Sequence, residues 1–421
     1  MSISSTMTAL ADAVRTFTGT TGKITVAVMK DRLLDSLLTS VTNPTVNLWR
    51  GTSLTSYTVP AGTTRIADKC PVFKYQYNLT SISLPAGLVY IGAYTFNNTK
   101  ISSITIPASV ETIGYAAFRH DSDTPVSTVI FSSNNHLTYI HGYAFSGTAI
   151  QSINIPQFSG TYNTLNIEAS AFESCKNLTN VTVDVTNRNL FIREDVFNGD
   201  TALTSMSLVG TPLSVSVGAR AFYDCTALTS VSTYLASNAS DMAFGYSGLQ
   251  SVVLRTPTFA TNIGLYVFRG CTNLASVVAA EYNPVDKAVP TGTFADCISL
   301  NSIMLNDSIQ RIEDYAFSNT SLDELPVSPT SRLTTIGAYA FAQTKITDLS
   351  ILGELDIDLI NNRAFYKCTQ LTRVVFHDGN VIIGRDAFEG CSGVQFLYKG
   401  DTAPEGFPWG ATNSTIEGIV A

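Results

Sequence analysis

The sequence predicts a repeat solenoid of about fourteen coils, with short parallel strands on one face, short helical turns on the other, and a small helical segment at the N-terminus. Three observations predict it. A set of phenylalanines from Phe73 to Phe388 recurs at intervals of 22–27 residues, too regular a spacing for a chain without internal repeats. Many copies carry the same escort: a small residue directly before the phenylalanine, as at Ala117, Ala144 and Ala221, and often glycine four before it, as at Gly92, Gly114 and Gly337. An apolar ladder then follows, such as Ile101, Ile104 and Ile106, whose last members alternate with polar residues before Pro107.

Taken in order, the unit reads strand, turn, apolar anchor, glycine, and a compact helical turn bearing Ala-Phe. The alternation marks a strand with one buried face, and the proline that ends it has no N–H to continue a ladder. No single coil can bury both its ladder and its phenylalanine, so the coils must stack and cover one another. That also explains how a chain of 421 residues needs no division into several conventional cores.

The position three after each phenylalanine holds Cys175, Cys225, Cys271, Cys297, Cys368 or Cys391 in some coils and Thr99, Thr148, Ser247, Thr320 or Thr344 in others. Metal sites need cysteines or histidines at short spacing, and no such pair occurs. Free exchange with Thr and Ser also argues against a disulfide framework. The slot therefore reads as small, buried and reduced.

Composition narrows the function. Only 14% of residues are charged and the net charge is −8, without a basic run, which excludes the positive stripe that nucleic acid requires. No apolar stretch reaches the length of a membrane span. Asp12 and Arg15 interrupt the N-terminus where a secretory signal needs an apolar core, so export by that route is not expected.

Segments such as LTSISLPAGLVYIGAYTF (79–96) and ISSITIPASVETIGYAAF (101–118) resemble the BspA-type leucine-rich repeat, and the resemblance spans roughly residues 54–398. It implies a solenoid that binds proteins or host surfaces. Residues 1–42 form a separate N-terminal segment, 43–399 the solenoid, and 400–421 a C-terminal cap or tail. Within the first, Leu10, Val14 and Phe17 give one short helix an apolar face, and Val28, Leu33 and Leu37 give another. The pattern ADAVR…TGTTGKIT is similar to leaders of bacteriophage tail and fibre proteins, as is PWGATNSTIEGI (408–419). That resemblance implies attachment or oligomerisation; a cap over the first coil is the other reading of the same helices.

Catalytic chemistry has little to stand on. His120 with Asp121 and Asp123 reads as a solvated loop, and Asp323 and Glu324 on one strand, Asp348 on the next, then Glu354, Asp356 and Asp358, read as a solvated acidic face. No catalytic residue, metal or cofactor is assigned. The outward positions of the strands are mostly hydroxylic in the first half, but become Val253, Val278 and Met304 on successive strands, and again Val375 and Tyr398. An outward apolar stripe beside Asp323, Glu324 and Asp348 is the expected partner-binding face.

The function expected is non-catalytic binding or display. The resemblances imply a phage tail-fibre or host-adsorption protein, carried in the virion after assembly in the host cytoplasm, with a bacterial adhesin or scaffold of the same repeat family as the alternative. Its partners would be other virion proteins and further copies of itself through residues 1–42, and a host surface protein or glycan through the solenoid.

Overall fold

The computed structural model describes residues 45–46, 55–68, 73, 78–121, 126–160, 163–255, 263–377 and 380–419. The segment 1–42, with Leu10, Val14, Phe17, Val28, Leu33 and Leu37, lies outside the described residues. The chain groups into two units that divide between Asn166 and Ile167.

Among the described residues most coils contribute two strands, one more than expected, and the strands pair in parallel. In the first unit the short strands Arg65–Ile66, Tyr90–Ile91, Thr112–Ile113 and Tyr139–Ile140 form one ladder. They are the apolar anchors that precede each glycine. The alternating segments form the second ladder, as where Ser103–Ile106 pairs with Thr128–Phe131. In the second unit the short ladder includes Ala288–Val289, Arg311–Ile312, Thr335–Ile336, Leu359–Ile360 and Ile382–Ile383. The longer strands Ser251–Arg255, Ser276–Glu281 and Ser302–Leu305 pair in one sheet, and Asp348–Leu349, Arg373–Phe376, Gln395–Lys399 and Thr415–Ile419 in another.

The phenylalanines form columns inside each unit. From Phe172 to Phe388 consecutive rings stack at centroid separations of 5.1–5.7 Å. The first unit repeats this, with Phe118 and Phe145 at 5.0 Å. A near-parallel stack at this spacing is set by the strand separation and adds aromatic attraction to plain burial. At the C-terminal end the Trp409 indole meets Phe396 edge-on at 5.3 Å, while its N–H donates to the Glu405 carbonyl at 2.6 Å.

The expected helical turns are not helices. The corner bearing Ala-Phe is a chain of tight turns in which the residue two before phenylalanine takes a left-handed backbone, as at Tyr94 (φ 58°), Tyr143 (φ 56°) and Tyr339 (φ 55°). A helix would direct every N–H to its own coil. Here alternate N–H groups leave it: Tyr94, Phe96 and Asn98 donate to Tyr115, Ala117 and Arg119 of the next coil at 2.8, 2.7 and 3.0 Å. The intervening ones close local turns, as where Ala117 donates to Gly114 at 3.2 Å. The corner thus adds a third set of bonds between coils, which offsets the roughly 1–2 kcal/mol cost of each left-handed residue. Among the described residues the helical segments are the four-residue Thr233–Ala236 and the 3-10 turn Ser350–Glu354.

The glycine slot is set by close approach of backbones. A Cβ on Gly337 would stand 2.6 Å from the Asp314 nitrogen of the preceding coil. The cysteine slot has an equally specific cause, since a phenylalanine carbonyl points into it. Cys225, Cys271, Cys297 and Cys368 each donate their thiol to the phenylalanine carbonyl of the preceding coil at 3.1 Å. Thr99, Thr320 and Thr344 instead reach the phenylalanine carbonyl of their own coil at 3.0, 2.9 and 2.9 Å. Either side chain satisfies a buried acceptor, which is why they interchange. The six slot cysteines are free and buried.

Candidate binding face

Alternation along the longer strands places every second residue outside. Cross-strand register then turns single outward residues into columns. In the sheet of Ser251–Arg255, Ser276–Glu281 and Ser302–Leu305, Val253 is opposite Val278 and Val278 opposite Met304. They are 39%, 57% and 47% exposed, so the expected stripe exists and is open to solvent. A column of Ser251, Ser276 and Ser302 runs beside it, and Arg255 pairs with Glu281 at 3.1 Å on its other flank. Such surface pairs contribute little stability, but they define a polar border to the apolar column.

The acidic neighbours are arranged differently from the expectation. Asp323 and Glu324 lie on a bend, not a strand, because Pro326 removes the donor a further ladder strand would need at that place. The bend raises a wall against the stripe. Glu324 joins Val278, Ala280, Met304 and Leu322 in lining a shallow depression of about 320 Å³. Asp348 starts the following sheet, where Arg373 is its partner in the strand register.

Val375 and Tyr398 do not extend the stripe. Val375 is only 4% exposed. The 3-10 turn Ser350–Glu354 lies over it, so close that a Cβ on Gly353 would stand 2.7 Å from Val375 Cγ1. Lys399 Nζ closes this cover by donating to the Gly353 carbonyl at 2.9 Å and pairing with the Glu354 carboxylate at 2.7 Å. That contact holds the Glu354 carboxyl below its ordinary pKa. Tyr398 falls one residue out of register: the partner of Val375 is Leu397, buried at 5% exposure, while Tyr398 is opposite the inward Phe376. A slip of one residue exchanges the two faces of a strand. In the first unit the corresponding outward slot opposite Thr105 holds Ile130, an exposed apolar residue that the reading of that half as hydroxylic passed over.

The polar groups expected to be inert are distributed as follows. His120 is buried rather than solvated, and its backbone N–H donates to the Ser146 carbonyl at 3.0 Å. Among the described residues no three His, Cys, Asp or Glu side chains come together in a way that could hold a metal ion. No helix among them is long and apolar enough to cross a membrane. A buried carboxyl stands in the core. Asp200 occupies the cysteine slot of its coil, accepts the Cys175 N–H at 2.6 Å, and has its carboxyl pushed well above the usual range by burial. Burial likewise raises the Cys271 thiol to about 12.

Stacked parallel coils with a phenylalanine column, a short inner ladder and an open outer strand face define a leucine-rich-repeat solenoid. The BspA type leucine rich repeat region matches in six copies over residues 45–179, 191–283 and 287–402, and the chain belongs to that family. Solved structures similar to it include a leucine-rich repeat protein from Bacteroides ovatus, at 19% identity over 87% of this chain and 84% of that one, with a TM-score of 0.47. The pneumococcal vaccine antigen PcpA is 16% identical over 89% of this chain and 91% of its own, with a TM-score of 0.41. A leucine rich cell surface protein from Faecalibacterium prausnitzii is 18% identical over 86% and 92%, with a TM-score of 0.35. No curated protein matches the chain.

Proposed function

We propose that the chain is a non-catalytic adhesive protein whose outer strand face binds a protein or glycan on a host surface. The observation that carries this reading is the exposed column Val253–Val278–Met304. Packing does not require apolar residues there, since other coils carry Ser83, Thr105 or Asn154 at the outward slot. An apolar column in water is retained at a cost in solubility, and a binding partner is the compensating gain.

The carrier we infer is a bacteriophage virion, in which the solenoid serves as a tail-fibre or host-adsorption module. This rests on the likeness of residues 8–38 and 408–419 to segments of phage tail and fibre proteins, and gives residues 1–42 the role of attachment and self-association, the solenoid 43–399 that of recognition, and 400–421 that of a terminal cap. A surface adhesin or scaffold of a bacterium is the competing reading, favoured by the family itself. Immunogold labelling of purified phage particles decides between them: label on tail tips supports the virion reading, and label confined to bacterial envelopes overturns it. Val278→Ser combined with Met304→Ser is expected to reduce host-cell binding while leaving the fold intact, and unchanged binding would move the recognition surface elsewhere.

A further inference from the structure

The outward apolar slot occurs twice in the second unit, once covered and once open, and the covered copy shows what a cover needs. Over Val375 and Leu397 the cover is a five-residue turn, Ser350–Glu354, that brings Gly353 against the valine and buries Leu352. Opposite charges then seal its edge, with the strand supplying the cation Lys399 and the turn supplying the carboxylate Glu354. At the open copy the polarity is reversed. The site itself supplies a carboxylate, Glu324, on the wall of the depression floored by Val278 and Met304. Glu324 and its neighbour Asp323 are exposed and form no ion pair within the described residues, whereas Arg255 and Glu281 at the opposite border already satisfy one another.

Charge complementarity therefore specifies the missing cover. We propose that the depression receives a turn or short extended segment of a partner protein that presents an aliphatic side chain next to a lysine or arginine. The aliphatic group seats on Val278 and Met304, and the cation pairs with Glu324. The apolar contact supplies most of the affinity. The charge supplies selectivity, because an acidic segment would bring like charges together over an apolar floor where water is displaced. The inference rests on the reading of the strand face as the binding surface and adds to it the chemistry of what is bound.

The test uses the full chain and two arrayed cyclic peptides that share the chain's own covering sequence, Ser-Ile-Leu-Gly followed by Lys in one and by Glu in the other. Arraying raises weak single-site binding into a measurable range. The Lys peptide is expected to bind about tenfold or more tightly than the Glu peptide. Glu324→Lys is expected to reverse that preference, and Val278→Ser with Met304→Ser to remove binding of both. Equal binding of the two peptides, a preference that survives Glu324→Lys, or failure of the arrayed Lys peptide to bind overturns the proposal. So does concentration-dependent self-association of the chain that Met304→Ser abolishes, since the occupant would then be a second copy. If Val278→Ser with Met304→Ser still lowers host-cell binding while the peptides show no selectivity, the binding face stands and this partner chemistry falls.

Discussion

Replacing Phe222 with alanine is the most direct test of the stacked-coil architecture. The ring is fully buried, with Phe197 at 5.2 Å on one side and Phe244 at 5.1 Å on the other. Phe222→Ala removes the transfer free energy of the ring and leaves a cavity between two rings that the strand spacing holds apart, which together cost about 3–5 kcal/mol. Each lost stacking contact accounts for about 0.5–1.5 kcal/mol of what the ring supplies beyond area, so the upper half of that range is expected. The backbone bond from Phe222 N–H to the Ala243 carbonyl, 2.8 Å or close to it in neighbouring coils and 2.7 Å here, survives the substitution. Phe222→Leu separates the two contributions: it keeps an apolar group in the column without a ring and should lose less. The assay is urea unfolding followed by circular dichroism, with amide exchange at the flanking coils, because loss in a nearest-neighbour stack can be local. Exchange at the amides of Phe197 and of position 222 should accelerate most. A cost of Phe222→Ala below about 1 kcal/mol, with no local acceleration, would refute the column as the core.

Three further outcomes are expected. Gly337→Ala forces a Cβ onto the Asp314 backbone and should destabilise by about 1–3 kcal/mol in thermal or urea unfolding, although alanine is ordinarily the better-tolerated residue; a neutral or stabilising result would contradict the close approach of the two coils. The six slot cysteines should resist a thiol reagent under native conditions and react fully in denaturant, since all are buried and burial raises the thiols of Cys225, Cys271 and Cys297; rapid native labelling would place the slot at the surface. Asp200→Asn should stabilise the protein at neutral pH. The folded carboxyl holds its proton to a pH well above the ordinary value of about 4, so wild-type stability is full below that value and declines as pH rises toward the folded pKa, while the variant keeps the Cys175 N–H acceptor without the decline; unfolding curves that do not diverge between pH 4 and pH 8 would show the carboxyl to be solvated.

Much of this architecture is local in origin and was legible in the residues. The phenylalanine period, the small residue before it and the alternation of Ser103-Ile104-Thr105-Ile106 describe one coil, and a coil that cannot bury its own apolar groups admits only stacking. The outward column Val253–Val278–Met304 followed as well, because strand alternation assigns faces and the repeat assigns register. The buried character of the cysteine slot could be read from its exchange with Thr and Ser, although the phenylalanine carbonyl that unites them could not.

Other features depended on where a neighbouring coil stands. The Ala-Phe corner reads as helical from its composition, yet its N–H groups at Tyr94, Phe96 and Asn98 find acceptors in the next coil, and that supply of partners decides for left-handed turns over helix. Glycine at 337 records an approach of backbones that no single coil contains. The candidate site shows the same division. Sequence placed Val375 on the outward face, and the strand indeed turns it outward, but a turn from the preceding coil covers it; Tyr398 differs by one step of register from Leu397, which only the pairing with Val375 reveals. Periodicity within a coil determines which side chains point in and which point out. Whether an outward side chain meets water or another segment is a property of through-space contacts between residues distant along the chain, and those exist only once the coils have stacked.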